Sequence, residues 1–374
     1  MTDSPRDVWL PATADLDWVR NLMHGVMVIN DITLGNSRSE GLRVRGQLRI
    51  DAHEAYECLA PQARARGRTL LFRHDGEDTV AIFAEGIIEP TPNNRWVPIV
   101  LAVLTFLSVH LTYVLLYEAQ EFSLDAILEN LHTGWPFTLS LLGILVAHEF
   151  GHYLMARRHG VAVTLPYLIP FPLSLFGTMG AVIRMKDLPP NRRAMLLIGA
   201  AGPLAGLVLA IPITFIGLSL SEVAPLPEAG GYMMEGNSLL YALLKIVTFG
   251  RFLPSGGEDV LLSGMALAGW AGLLVTSFNL MPAGQLDGGH IAYALLGRRA
   301  RHVTWGVLAL LLVLSAVVWQ GWLIWAILIF MLARQQVPPM NDVSRLEGKE
   351  RVLALVMLVI FVFVFTPLPL HIVS

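Results

Sequence analysis

Residues 136–156 read PFTLSLLGILVAHEFGHYLMA, and this stretch decides the class of protein. It is almost entirely apolar and has the length of about 20 residues that a helix needs to cross a bilayer. Three ionisable residues, His148, Glu149 and His152, nevertheless lie inside it. Ionisable groups at membrane depth are costly unless they pair with one another or bind a metal. The stretch therefore predicts a membrane-spanning helix that carries a functional polar site.

The composition of the whole chain agrees with a membrane protein. Of its 374 residues, 54% are hydrophobic and only 15% are charged, and the mean hydropathy is +0.58. Soluble domains contain about a quarter charged residues. The net charge of -3 gives no reason to expect a nucleic-acid partner. Cys58 is the only cysteine, which excludes an intrachain disulfide and a zinc site built from several cysteines.

Further apolar runs predict an α-helical polytopic membrane protein with six or seven transmembrane helices. The run at 303–333 would form a single helix of about 45 Å, which exceeds a hydrocarbon core of about 30 Å. Two short helices joined at 319–322 fit better, which favours seven spans. The predicted spans lie at 97–117, 136–156, 194–220, 260–281, 303–333 (as two helices) and 352–370.

Residues 161–185 are apolar, but prolines and glycines interrupt them. Irregular backbone at membrane depth persists only where it is buried in protein or lines a cavity. We therefore predict a membrane-embedded re-entrant or β segment beside the polar site; the alternative is an interfacial loop. Within it, the strand 177–185 offers an edge to which an unwound substrate segment can add by backbone hydrogen bonds.

The first 95 residues are polar and differ from the rest. Strands predicted at 26–32, 41–50, 69–73 and 79–83 and a helix at 52–66 indicate a small α+β domain over residues 1–95. Nothing in these residues indicates the role of that domain. Residues 96–374 form the predicted transmembrane domain.

The basic residues of the connections predict the orientation in the membrane. Alternating connections carry clusters of Lys and Arg, as at 157–158, 186–193 and 298–301, whereas 118–134 carries none. By the positive-inside rule the basic side is cytoplasmic. We therefore expect a multi-pass protein of the cell's inner or plasma membrane with a cytoplasmic N-terminus.

The motif HEFGH at 148–152 predicts chemistry. On a helix His148 and His152 are four residues apart, so their imidazoles face one side. This spacing suits two ligands of one zinc ion, with Glu149 between them as the general base. The alternative interpretation is a polar cluster between helices without a metal.

A catalytic zinc takes a third protein ligand and keeps one position open. Asp287, within NLMPAGQLDGGH at 279–290, is the only acid between Asp259 and Asp342. Glycines follow Asp287 directly, so backbone can approach it closely. Alternatively, Asp287 caps the next helix. For Asn279 in the same stretch, a hydrogen bond to the substrate and a role at a helix C-terminus both remain open.

Two further stretches lie between these motifs: GTMGAVIRMK at 177–186 and GAAGPLAG at 199–206. We interpret the glycines of the second as close helix–helix contacts in lipid. Together the four stretches resemble the site-2 protease family of intramembrane metalloproteases over residues 136–295, the catalytic core. Many members carry a proline where this chain has Gly284, which leaves the substrate preference open.

The resemblance implies one Zn²⁺ per chain, held by His148, His152 and Asp287, with Glu149 activating water. It implies an intramembrane zinc metalloprotease that hydrolyses peptide bonds within or near the transmembrane segment of single-span membrane proteins. Two alternatives remain: a membrane metal transporter and a catalytically inactive scaffold. A transporter requires further carboxylates along a pathway, and the central spans have almost none besides Glu149. The sequence identifies neither the substrate nor the oligomeric state.

Overall fold

The computed structural model describes residues 13–34, 41–87, 94, 96–119, 123–227, 232–333 and 337–373. The protein is mostly helical, with one four-stranded sheet and three two-stranded sheets among these residues. It forms two compact units. The first comprises Met1–Thr91, Asp187–Arg193 and Pro338–Leu346, and the second comprises Pro92–Lys186, Ala194–Val337 and Glu347–Ser374.

The first unit is an antiparallel sheet with two helices. Its four strands, counted along the chain, pair in the order first, second, fourth, third, and the predicted strands and the predicted helix are all present. Asp51 starts the second helix by accepting a hydrogen bond from the backbone of His53. A first helix was not predicted from the sequence. The elements are α1 (Thr13–Met23), β1 (Met27–Leu34), β2 (Leu42–Leu48), α2 (Ala52–Ala65), β3 (Arg68–Asp75) and β4 (Asp78–Glu85).

Two connecting segments extend this sheet beyond β3. The backbone N–H of Phe72 donates to Met340 O, and Met340 N–H donates in turn to Pro189 O, both at 2.9 Å. Asn341 forms parallel β-bridges with Phe72 and with Asn191, and it is fully buried. An uncovered strand edge is a template for unwanted pairing. Segments 339–342 and 189–191 therefore cover an edge that β3 would otherwise expose.

The second unit contains most of the helices. The predicted run at 303–333 is divided into two helices at 318–321, as expected from its length. The helices are α3 (Trp96–Tyr113, followed by a π turn Val114–Glu118), α4 (Leu124–Asn130), α5 (Trp135–Arg158), α6 (Arg192–Ser219), α7 (Leu239–Phe249), α8 (Gly264–Asn279), α9 (Asp287–Leu296), α10 (Ala300–Val317), α11 (Trp322–Ala333) and α12 (Gly348–Val364).

Four helical segments of the described chain are long and apolar enough to cross a membrane. They are Trp96–Glu118, Leu124–Arg158, Arg192–Ser219 and Asp287–Val317. Helix α8 has 16 residues and α12 has 17, so both are shorter than these segments. The count of six or seven spans therefore stays a prediction.

Short strands occupy two of the connections. β5 (Tyr167–Pro170) and β6 (Thr178–Val182) form an antiparallel hairpin where the sequence predicts a re-entrant β segment. In the connection at 221–259 the structure has α7 and three strands. β7 (Glu222–Pro225) pairs with β9 (Glu258–Leu261), and β8 (Tyr232–Glu235) pairs with β10 (Leu370–Val373).

Lys245 is a buried charge within that connection. It lies in α7, and its side chain is completely buried. Its ammonium lies 2.7 Å from Glu235 Oε1 and 3.2 Å from Asp259 Oδ1. A buried charge persists only when it is paired and hydrogen-bonded. Lys245 is therefore part of a polar core and not a surface charge.

Candidate active site

The histidines of HEFGH lie on one side of α5, as their spacing predicts. His148 is 3% exposed and His152 is 6% exposed. Their Nε2 atoms are 3.2 Å apart. Helix α5 supplies this geometry by itself, because residues four apart on a helix lie one above the other.

Asp287, the first residue of α9, completes the group. Its Oδ2 lies 3.2 Å from His148 Nε2 and 3.1 Å from His152 Nε2. Tetrahedral zinc with bonds of about 2.0–2.1 Å holds neighbouring ligand atoms about 3.3 Å apart. The three atoms, from two imidazoles and one carboxylate, fit such an ion. In the described part of the chain, these three residues are the group that can hold a metal.

The backbone on both sides of Asp287 requires glycine. A Cβ on Gly288 would lie 2.0 Å from Leu280 O, so only glycine fits the close approach there. Gly284 adopts φ +58°, and its N–H donates to Thr304 Oγ1 at 3.3 Å. Proline has φ near -65° and no N–H, so it cannot take this conformation. The backbone at Gly284 therefore has a conformation that the proline found there in many family members could not adopt.

His152 is oriented from behind by α6. Its Nδ1 donates a hydrogen bond to Ile198 O at 2.7 Å. This contact fixes the tautomer and leaves Nε2 free as a ligand atom, as metal-binding histidines require. The sequence does not predict this role of Ile198, because Ile198 acts through its main-chain carbonyl, which every residue type has.

Glu149 and Asn279 lie beside this group. Glu149 is 6% exposed, and its carboxylate accepts a hydrogen bond from Ile183 N–H, directly after β6. Asn279 ends α8, and its Nδ2 is 3.3 Å from His148 Nε2. Its side chain thus points to the site, while the C-terminus of α8 is closed by backbone hydrogen bonds of Leu280.

Residues 136–316 match the model of peptidase family M50. The chain is 31% identical over 247 residues to the probable zinc metalloprotease EGY2, chloroplastic, of Arabidopsis thaliana, covering 65% of this chain and 43% of that protein. It is 32% identical over 239 residues to the probable zinc metalloprotease EGY1, chloroplastic, of the same plant, covering 62% and 42%.

The EGY2 protein of Oryza sativa subsp. indica is 32% identical over 244 residues, covering 64% of this chain and 44% of that protein. The matched region thus spans less than half the length of each of these relatives. No solved structure matches the chain significantly. The family match includes HEFGH, Asp287 and the apolar helices between them, so residues 136–316 of this chain are similar to peptidase family M50, the site-2 protease family, and the apolar helices support a membrane protein.

Proposed function

We propose that this chain is an intramembrane zinc metalloprotease that cuts membrane-protein substrates within or near their transmembrane segments. The observation that carries the proposal is the convergence of His148 Nε2, His152 Nε2 and Asp287 Oδ2 within 3.1–3.2 Å of one another. The naming of several relatives as probable zinc metalloproteases supports the same activity.

In this proposal His148, His152 and Asp287 hold one zinc ion per chain. Three protein ligands leave one tetrahedral position for water or substrate, which is the pattern of catalytic zinc sites. When bound, zinc supplies Lewis acidity that activates water and polarises the scissile carbonyl. The buried surroundings of the two histidines strengthen that electrostatic effect.

Glu149 acts as the general base and then as the general acid. It takes the proton from the attacking water and delivers it to the leaving amine. The Ile183 N–H holds its carboxylate in place. Asn279, whose amide nitrogen lies beside His148, donates a hydrogen bond to the substrate oxygen that gains negative charge.

The substrate binds along β6 in an extended conformation. β6 pairs with β5 on one side only, so its other edge is free of strand partners among the described residues. Met179 and Val182 on this strand are 69% and 49% exposed. A single-span membrane protein that unwinds locally can add a strand at such an edge. The end of β6 contacts Glu149 through Ile183, so the added strand leads to the base.

We further propose a multi-pass topology with seven spans and the basic connections on the cytoplasmic side. The clusters of Lys and Arg at 157–158, 186–193 and 298–301 support this orientation. The relatives are named chloroplastic, which points for those proteins to a membrane other than the plasma membrane. Their names thus give no support to the expected plasma-membrane location.

The test measures zinc content and cleavage of a model single-span substrate by purified full-length protein. We expect wild type to hold about one zinc and to cleave. Glu149→Gln should keep zinc and lose cleavage, and Asp287→Asn should lose zinc. A wild type without zinc, or an active Glu149→Gln variant, would overturn the proposal. Zinc flux into proteoliposomes by the wild type would favour the transporter instead.

A further inference from the structure

Helix α6 contacts both metal-site histidines through its small residues. Ile198 O accepts the hydrogen bond from His152 Nδ1 at 2.7 Å. Gly202 is four residues later on the same helix face, and Gly206 four residues after that. An ideal Cβ on Gly202 would lie 2.0 Å from His152 Nε2, and one on Gly206 would lie 3.2 Å from His148 Nδ1.

The contact at Gly202 cannot be relieved by a simple ring movement. A real Cβ essentially never comes closer than 3.0 Å to another heavy atom, whereas the Cβ at Gly202 would lie 2.0 Å from His152 Nε2. The imidazole of His152 would therefore have to move by about 1 Å. The hydrogen bond to Ile198 O holds the opposite nitrogen of the same ring. Moving the ring therefore breaks that hydrogen bond and displaces Nε2 from the other two ligand atoms.

We infer that Ile198 and Gly202 of α6 are positioning residues for His152, and that Gly206 is a positioning residue for His148. Ile198 fixes which nitrogen carries the proton, and Gly202 leaves the space that the ring occupies. This inference rests on the proposed zinc site. It adds to the interpretation of Gly202 and Gly206 as close helix–helix contacts, because the imidazoles that both glycines face belong to helix α5.

Two other glycines serve as controls that distinguish the positioning of a histidine from ordinary helix packing. A Cβ on Gly217, also in α6, would lie 2.3 Å from the backbone N of Ala266 in α8, and no histidine is among its nearest atoms. Gly143 in α5 has nothing within 4 Å. Gly217→Ala thus tests helix packing of α6 alone, and Gly143→Ala tests the effect of an alanine in open space.

The required precision makes the expected effect large. Metal sites tolerate ligand displacements of about 0.2 Å, which is far less than the forced shift at Gly202. Losing a group that orients a metal-binding histidine lowers metal affinity by about 10- to 100-fold. Gly206 is less crowded, since 3.2 Å requires a shift of only a few tenths of an ångström.

The experiment uses the full-length protein in detergent. It measures zinc affinity, the visible absorption spectrum after loading with Co²⁺, and the apparent melting temperature of the metal-free protein. We expect Gly202→Ala to lose about 10- to 100-fold in zinc affinity, with an altered Co²⁺ spectrum. Gly206→Ala should keep zinc and show a shifted Co²⁺ spectrum. Gly217→Ala should lower the melting temperature but leave zinc affinity and the spectrum of the folded protein unchanged, and Gly143→Ala should match wild type.

Wild-type zinc affinity and spectrum in Gly202→Ala would overturn the inference, as would an equal loss of zinc affinity in Gly217→Ala. If Gly202→Ala does not fold, Gly206→Ala decides: an unchanged Co²⁺ spectrum there rejects positioning by α6. A wild type that binds neither Zn²⁺ nor Co²⁺ would instead reject the proposed function itself.

Discussion

The Glu149 carboxylate accepts a hydrogen bond from the backbone N–H of Ile183. The first residue lies in the middle of α5 and the second directly follows β6. This contact joins the general base to the strand along which we propose that the substrate binds. Hydrogen bonding to a buried carboxylate fixes its orientation, which general-base catalysis requires.

Replacing Ile183 by proline tests this contact, because proline removes the donor. We expect cleavage to fall by about 10- to 100-fold, which is part of the roughly 10²- to 10⁴-fold that general-base catalysis contributes, while zinc content stays at the wild-type level. Ile183→Ala keeps the N–H and is the matched control. Equal activity of the proline and alanine variants would show that the hydrogen bond does not hold Glu149 for catalysis.

Replacing Val182 by proline tests strand addition. Proline removes a main-chain donor from β6 and disfavours a regular strand partner. We expect loss of cleavage with zinc still bound, and the loss should appear mainly in KM. Val182→Thr preserves the backbone and the branched shape and should behave like wild type. Wild-type cleavage by Val182→Pro would exclude strand addition at this position.

The parts of the site that the sequence predicts are those encoded by local spacing. His148 and His152 are four residues apart, so the helix alone brings them together. Asp287 is the only acid in a long apolar stretch, which makes it a natural third ligand. The turn around Gly284 could not be predicted, because its φ of +58° occurs together with a hydrogen bond to Thr304, which is 20 residues away in the sequence.

Other features depend on partners that are distant in the sequence. Ile198 acts through its carbonyl oxygen, which every residue type provides. Asn341 and its neighbours join the edge of the four-stranded sheet although they resemble an ordinary connection. Lys245 finds its acids ten residues before it, in β8, and fourteen after it, in β9. Only tertiary structure brings such groups together.

Gly284 should not accept proline, the residue that many family members carry there. Its φ of +58° costs about 1–2 kcal/mol for an alanine, and proline also loses the hydrogen bond to Thr304. We expect Gly284→Ala to lower the free energy of unfolding by that amount and Gly284→Pro to lower it further and weaken zinc binding. Gly306→Ala in α10, where nothing lies within 4 Å, is the control and should not destabilise. A stable, zinc-replete Gly284→Pro variant would contradict the observed backbone.

Asn341→Ala should destabilise the first unit. Asn341 Nδ2 donates to Ala52 O at 2.8 Å, and its Oδ1 accepts from the N–H groups of Val343 and Ser344 at 3.1 Å. Removing a fully buried side chain with three hydrogen bonds should cost about 2–4 kcal/mol. Hydrogen exchange of β3 and β4 measures the loss. Asn30→Ala, on an exposed side chain, should change exchange little; equal effects of both variants would argue against a structural role of Asn341.

Glu235 should make stability depend on pH. It lies in β8, and its Oε1 is 2.7 Å from Lys245 Nζ and 3.1 Å from Tyr241 Oη, with Asp259 on the other side of Lys245. Burial raises the pKa of Glu235 above its usual value, and Lys245 offsets this only in part. At pH values between the pKa of Glu235 in the unfolded chain and its higher pKa in the folded protein, the folded protein therefore binds more protons than the unfolded chain.

The contribution of Glu235 to the free energy of unfolding must consequently fall as pH rises through that window. It is fully present only below the pKa of Glu235 in the unfolded chain, about 4.3. Glu235→Gln abolishes this titration. We expect the apparent melting temperature of wild type, relative to Glu235→Gln, to decrease steadily from acidic to neutral pH. Glu258→Gln, which removes an exposed ion pair with Arg251, is the control for the loss of an acid in the same connection, since surface pairs contribute about 0–1 kcal/mol. Parallel melting curves of wild type and Glu235→Gln at every pH would show that Glu235 titrates alike in the folded and unfolded chain.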